Sequence, residues 1–211
     1  MPRFFLLALI VIVLGAGAYI LATDGLPKGE SAKPLYEKKE NEGGSNENEK
    51  SASCLASGIV PVEICPDAAF WHPEQPISSD YEGFYSNQTG AVYFGFITEG
   101  LEQTPAFMRK GILGNVGKVA DGGAESVRIL AEKDVVIAGH DWHYLEYDAS
   151  LDGTVFRYGN YFSSFEGAGS AQILIFSSDK KFRFYKTYID ALLDTVKITE
   201  SPSLNETKPS P

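Results

Sequence analysis

The stretch from Asp134 to Ile198 constrains the fold most, because it repeats strand-like runs and tight turns and then changes to a helical period. Its turn residues are Asp152-Gly153 and the segment 166–169. Between them lie three runs rich in aromatic and β-branched residues: 142–149, 154–165 and 171–176. Such runs between glycine-containing turns are typical of antiparallel strands joined by hairpins.

A layer must cover this sheet, because the residues from Ile173 to Phe176 are apolar in succession, which suits a strand buried on both faces. The next segment supplies it. That segment has five apolar residues at steps of three and four: Phe182, Tyr185, Ile189, Leu192 and Val196. Its charged residues, such as Lys186, fall largely at the other positions. We predict one amphipathic helix packed across the sheet.

An earlier helix is predicted over 106–120, with Thr104 as its cap and Pro105 in its first turn. Its apolar residues at helical spacing are Phe107, Ile112, Leu113, Val116 and Val119. Three glycines follow one another at steps of three: Gly111, Gly114 and Gly117. We interpret them as close packing of the helix backbone on the sheet, since no strand leads into them as in a phosphate-binding loop.

Four shorter runs are predicted to be strands: 81–86, 91–98, 127–130 and 135–138. The first two would form a hairpin around 87–90. By contrast, His72-Pro73 and Pro76 predict an irregular loop.

The predicted elements follow the order strands, helix, strands and helix, and short sequence motifs accompany this order. These motifs are the Ile-x-Gly-x-x-Trp sequence of 137–142, Tyr161, the segment 172–175, and Tyr188-Ile189-x-x-Leu192-Leu193. With them the chain resembles the PsbP/DcrB-like family of small α/β sandwich domains over about residues 92–198. The resemblance implies an α+β fold with an antiparallel sheet flanked by helices, and export to a bacterial envelope or thylakoid lumen. It also implies an accessory or binding role without shared catalytic residues.

The N-terminus carries an apolar segment, 4–22, after the lone Arg3. About nineteen residues at roughly 1.5 Å each just cross a hydrocarbon core of about 30 Å. A cleaved signal peptide is the alternative, because Ala16-Gly17-Ala18 is a small-x-small site. Apolar residues continue through Ala22, which favours an uncleaved inner-membrane anchor with the domain in the periplasm or outside. Cleavage would release a secreted protein.

Composition then divides the chain. We predict an anchor or signal peptide over 1–22, a disordered polar linker over 23–52, a globular α/β domain over 53–199 and a disordered tail over 200–211. The linker and tail are too polar to bury enough apolar surface to offset the entropy of ordering.

Charge and cysteine content restrict the partners and the compartment. The 28 acidic residues outnumber the 18 basic ones, for a net charge of −10. This excess argues against nucleic acid and against anionic headgroups, and leaves a basic partner or a cation open.

Cys54 and Cys65 are the only cysteines. In an exported chain we predict that they form a disulfide, because a metal site needs more ligands.

Aromatic and histidine side chains are the candidates for a ligand groove, although most aromatics in such a sandwich are core residues. The candidate ligand-binding residues are Trp71, His72, Tyr81, Tyr85, His140 and Trp142.

A hydrolase or metal-dependent enzyme using His140, Asp141 and His143 is the alternative function. Strand alternation would send neighbouring side chains to opposite faces, and the chain has no Gly-x-Ser-x-Gly sequence. We therefore predict no catalytic residues and no cofactor. Convergence of these three side chains in one pocket with a second carboxylate would instead favour the enzyme.

A calcium loop is suggested by Asp148, Ser150 and Asp152, which are spaced like the first ligands of an EF-hand. The twelfth position is Gly159 instead of glutamate, and the flanking runs are strands. A hairpin turn is the favoured interpretation.

Together these observations predict a membrane-tethered, non-catalytic accessory or binding module of the cell envelope, whose partner is an envelope protein or a small ligand.

Overall fold

The computed structural model describes residues 54–76 and 81–199, which form two antiparallel sheets and three helices. The strands are β1 (Leu55–Ala56), β2 (Val62–Ile64), β3 (Trp71–Glu74), β4 (Tyr81–Asn87), β5 (Val92–Glu99), β6 (Arg128–Ile137), β7 (His140–Leu151), β8 (Thr154–Phe165), β9 (Gly169–Ser178) and β10 (Lys197–Ile198). The helices are α1 (Pro105–Val119), α2 (Asp179–Phe184) and α3 (Lys186–Leu193), and a 3-10 turn spans Gly123–Ser126. The predicted anchor or signal segment, linker and tail lie outside the described residues.

The seven-stranded sheet has the order β3-β4-β5-β9-β8-β7-β6, and the three-stranded sheet has the order β1-β2-β10. The predicted meander is confirmed. β7, β8 and β9 pair in succession, and Asp152 and Gly153 turn the chain with φ of 50° and 76°. Both central residues of a type I′ turn need positive φ, which Asp-Gly adopts readily.

Two predicted segments differ from the structure. Instead of two short strands, β6 is one ten-residue strand with an irregular register between Ile129 and Ala131. The loop predicted through His72-Pro73 is also wrong, because these residues belong to β3 at the opposite edge. Proline is tolerated there, since an edge strand can leave one N–H position unpaired.

The large sheet is covered on both faces, as predicted from β9. Leu174 and Phe176 pack in a core with α1, and this side is called the α1 face. Ile173 and Ile175 pack in a second core with α2, α3 and the small sheet, and this side is called the α2–α3 face. The predicted antiparallel sheet flanked by helices is therefore confirmed for the described residues.

α1 begins as predicted, since the Thr104 hydroxyl accepts a hydrogen bond from the Phe107 N–H. Its buried stripe is Met108, Ile112 and Val116. Phe107 shares the helical spacing of Ile112 and Val116 but is not part of this stripe, because its side chain is 61% exposed.

The glycines of α1 also differ from the interpretation. A Cβ at Gly111 or Gly114 would meet no atom within 4 Å, so close backbone packing is wrong for these two. At Gly117 it would lie 2.7 Å from the Ala124 Cβ. The close approach is thus real at one glycine, and it is made to the 3-10 turn instead of the sheet.

The closing helix is interrupted at Tyr185, whose φ of −91° and ψ of 11° separate α2 from α3. Its predicted stripe nevertheless faces the sheet, with Tyr185 half-buried and four residues buried: Phe182, Ile189, Leu192 and Val196. Among the described residues, no helix combines the length and apolar character needed to span a membrane.

The predicted disulfide is confirmed. Cys54 and Cys65 are joined across the start of β1 and the end of β2, with their Cα atoms 4.1 Å apart. Glu63 lies beside the two sulfurs, within 4.8 Å. Because both sulfurs are used in the disulfide, neither offers a thiolate to a metal ion.

Replacing both cysteines by serine should lower the free energy of unfolding by about 2–3 kcal/mol, because the cross-link restricts the unfolded chain. Chemical unfolding of the oxidised protein, the reduced protein and the double variant checks this. The reduced protein should gain two hydrogens in mass and match the variant in stability. Two freely alkylated thiols in unreduced protein would contradict the prediction.

Candidate functional site

A cleft of about 600 Å³ opens on the α1 face beside the edge strand β6. One wall is the first turns of α1, from Thr104 to Arg109, and the other is Glu132 to Asp134 of β6. His143 of β7 and Phe162 of β8 lie between the walls. α1 packs on β7 and β8, and the cleft lies between its first turns and the neighbouring edge strand β6.

One ion pair and one histidine–carboxylate contact organise this cleft. Arg109 Nε lies 2.6 Å from Glu132 Oε1, which links α1 to β6 across the opening. This hydrogen bond raises the pKa of the Arg109 guanidinium. His143 Nδ1 lies 2.5 Å from Asp134 Oδ1, and the His143 ring stacks on Phe162 with ring centroids 5.6 Å apart. The cleft therefore offers charges of both signs over an aromatic base.

The rim of the cleft is strongly exposed. The Asp134 side chain is 81% exposed, and Val136, two residues along β6 on the same face, is 69% exposed. The cleft is therefore open, with charges of both signs in its lining and one exposed apolar residue beside it on the same face of β6. A small molecule would usually be more enclosed.

The three residues of the enzyme alternative do not converge. His140 stacks on Phe165, which belongs to the core of the α2–α3 face. His143 stacks on Phe162 in the core of the α1 face, and Asp141 is exposed. The sheet therefore separates the two imidazoles, as strand alternation predicts.

The hydrogen bonds of His140 also indicate a structural role. Its Nε2 lies 2.9 Å from Ser163 Oγ and 3.3 Å from the Ser164 carbonyl oxygen. The Ser163 hydroxyl donates to the Asp141 carbonyl at 2.6 Å. Because a hydroxyl has one hydrogen to donate, Nε2 must donate to Ser163, and it cannot then serve as the base that activates it.

The predicted aromatic residues lie apart, and most are buried. Trp142 is fully buried against Phe165, and Trp71 packs edge-on against Phe94 in the same core. Tyr81 packs on the opposite face of the sheet. Their burial gives them a packing function, and their role in ligand binding stays a prediction.

The two remaining candidates lie at the β3 side of the sheet. Half-buried Tyr85 stacks on Phe94 with ring centroids 4.8 Å apart, and burial raises the pKa of its hydroxyl. His72 is also half-buried, and its Nε2 has no hydrogen-bond partner among the described residues. Neither residue lines the cleft beside β6.

The suggested calcium ligands make other contacts. Asp148 accepts hydrogen bonds from Arg157 Nε at 2.9 Å and Arg128 at 2.6 Å. Burial raises the pKa of Asp148, but these two guanidinium groups outweigh it and hold the pKa below its usual value. Asp148 is thus already neutralised by two cations, which leaves little attraction for a third.

Ser150 and Asp152 belong to the β7–β8 turn. The Asp121 carboxylate accepts hydrogen bonds from the Ser150 hydroxyl and from the backbone N–H groups of Asp152 and Gly153. The Gly153 bond leads the contacts that lower the pKa of Asp121. These contacts support the favoured interpretation of a hairpin turn.

Sequence reasoning found His143 but missed Arg109, Glu132 and Asp134. The available signal was the run Glu132-Lys133-Asp134, since three charges in the middle of a strand are typical of a sheet edge. The prediction of two strands over 127–130 and 135–138 placed this run in a break between them, so the edge strand was not recognised.

The sequence matches no known protein family, and no curated protein is detectably similar to it. Solved structures do match. The solution structure of cyanobacterial PsbP (CyanoP) from Synechocystis sp. PCC 6803 aligns with 74% of this chain and 98% of that chain, at 10% identity and a TM-score of 0.52. LpqN, which is involved in cell envelope biogenesis of Mycobacterium tuberculosis, aligns with 70% of this chain and 90% of that chain, at 13% identity and a TM-score of 0.50. At such identities the likeness concerns the fold, and the described chain has the PsbP-like α/β fold that its sequence resembles.

Proposed function

We propose that this protein is a membrane-tethered, non-catalytic binding module of the cell envelope, which offers the cleft beside β6 to an envelope protein. The observation that carries the proposal is the Cys54–Cys65 disulfide in a PsbP-like domain. Disulfides persist in oxidising compartments outside the cytoplasm. The likeness of the fold to LpqN, an envelope biogenesis protein, supports the same address.

The tether is the second part of the proposal. Residues 4–22 supply the apolar anchor and 23–52 a polar spacer. Thirty residues of flexible chain have a root-mean-square span of about 30 Å, enough for the domain to meet partners near the membrane. A binding role also agrees with the separation of His140 from His143 by the sheet.

A fusion experiment tests the address. A reporter that is active only in the cytoplasm, fused after Pro211, should be silent, and a reporter active only outside should work, because Arg3 precedes the apolar segment. Deleting 4–22 is the matched control and should reverse both results. The intact mass of the exported chain, together with its presence in the membrane or the soluble fraction, then separates an anchor from a cleaved signal. Cytoplasmic reporter activity in the full chain would contradict the proposal.

A further inference from the structure

β6 is a long sheet edge with one side open. It pairs with β7 through nine residue positions, and no described strand pairs with its other side. An edge of this kind presents a row of outward N–H and C=O groups that can accept another strand. The opposite edge, β3, has four residues and contains Pro73, so it offers a much poorer template.

Charged side chains on β6 alternate between the two faces of the sheet. Asp134 meets His143 on the α1 face, and Glu132 meets Arg109 there. Lys133 points to the other face, where its Nζ lies 5.7 Å from the ring centroid of Tyr144. Beyond them, Val136 is exposed on the α1 face and Val135 is half-buried on the other. A strand added to this edge would meet two acids on one face, one base on the other, and apolar residues at one end.

A second copy of β6 is a poor occupant in the registers that centre on its charged residues. A twofold axis that relates two antiparallel edge strands must stand perpendicular to the sheet. Each residue then lies opposite a residue whose side chain is on the same face, and the residue at the axis lies opposite its own copy. Centred on Lys133, it sets lysine against lysine and Glu132 against Asp134. Centred on Glu132 or Asp134, it sets two carboxylates together. Like charges directly opposite are destabilising, so these registers are disfavoured.

We propose that β6 binds an extended segment of a partner protein as an added antiparallel strand. That segment carries basic residues opposite Glu132 and Asp134 and an acidic residue opposite Lys133. Apolar β-branched residues lie opposite Val135 and Val136. The cleft beside Glu132 and Asp134 receives the basic side chains on the α1 face. The inference rests on the proposed binding function and names the class of partner.

Labelled peptides and the full chain in nanodiscs of neutral lipid test it. The probe is a peptide with the central sequence Val-Ile-Lys-Glu-Lys-Thr, and the control is the same composition ordered Val-Ile-Glu-Lys-Lys-Thr. Fluorescence anisotropy should show the first binding about threefold or more tighter, since two opposite-charge pairs are replaced by like-charge pairs. Hydrogen exchange should slow in 128–137 when the first peptide binds.

Matched protein variants locate the contact. Asp134→Lys should weaken the first peptide by about threefold or more and reduce the difference between the peptides. Asp194→Lys makes the same charge change at the end of α3, on the other side of the sheet, and should leave both affinities unchanged. Equal binding of the two peptides, protection outside β6, or dimerisation through β6 would overturn the proposal. The reporter fusions do not involve β6, so a correct address with no peptide preference refutes strand addition alone.

Discussion

Replacing Leu192 by alanine should lower the free energy of unfolding by about 2–5 kcal/mol, a large share of a typical domain's total of about 5–15. Leu192 is 2% exposed and packs with Phe182 and Ile189 between α3 and the sheet. Its truncation removes apolar contacts and leaves a cavity in a close-packed layer. Urea unfolding of a fragment covering 53–199 measures the loss.

Lys186→Ala in the same helix is the control for Leu192. The Lys186 side chain is 59% exposed and pairs with Asp190 at 2.5 Å, one turn along the helix. An exposed pair of this kind contributes little, so the change should be about 0.5 kcal/mol or less. Small and similar losses at both positions would mean that α3 does not pack on the sheet.

Replacing Arg157 by methionine should lower the free energy of unfolding by about 3–5 kcal/mol, because a buried ionic network then loses its most buried cation. The Arg157 side chain is 11% exposed. It lies within ion-pair distance of Asp148 at 2.9 Å, Glu146 at 3.5 Å and Asp179 at 2.6 Å. The hydrogen bond to Asp148 leads the contacts that raise the pKa of Arg157. Methionine keeps much of the side-chain length but removes the partner that these carboxylates share, so that Asp148 and Asp179 keep only the exposed Arg128 and Arg183.

Arg183→Met is the matched control, because Arg183 pairs with the same Asp179 at 2.5 Å but is 66% exposed. The Arg183→Met variant should lose about 1 kcal/mol or less of its free energy of unfolding.

Lowering the pH gives a second check of the network around Arg157. Asp148 has a lowered folded-state pKa, so its stabilisation is present above the unfolded value of about 3.9 and is lost as pH falls through the folded value. The difference between wild type and Arg157→Met should shrink below about pH 4. Equal losses for the two variants would contradict a buried network.

The sheet could be predicted because its signals are local. Asp152-Gly153 specifies a type I′ hairpin by itself, and the unbroken apolar run of β9 requires cover on both faces. The buried stripe of the closing helix also follows from spacing alone, since Phe182 and Leu192 face the sheet even though Tyr185 interrupts the helix. That interruption has no signal in the periodicity, because the apolar spacing continues across it.

The site was harder to predict, because it depends on contacts between distant segments. Arg109 and Glu132 are separated by 23 residues and meet only when α1 lies beside β6. The exposure of Phe107 has the same origin, since the rotation of α1 about its axis selects Met108 for the core instead. Trp71 and Trp142 suggested a groove by residue type, yet large aromatic side chains serve packing and binding equally well.

The small sheet determines how the domain carries a mechanical load. β2 pairs with β1 on one side and β10 on the other, and Cys65 N–H also donates to Thr195 Oγ1 beyond α3. A pull on the chain ahead of Cys54 passes through the disulfide directly to Cys65. β1 and β2 both lie between the two cysteines, so the force bypasses them along the chain and loads the contacts that Cys65 makes, including its hydrogen bond to Thr195. Under tension the first strand therefore cannot peel away from β2 alone.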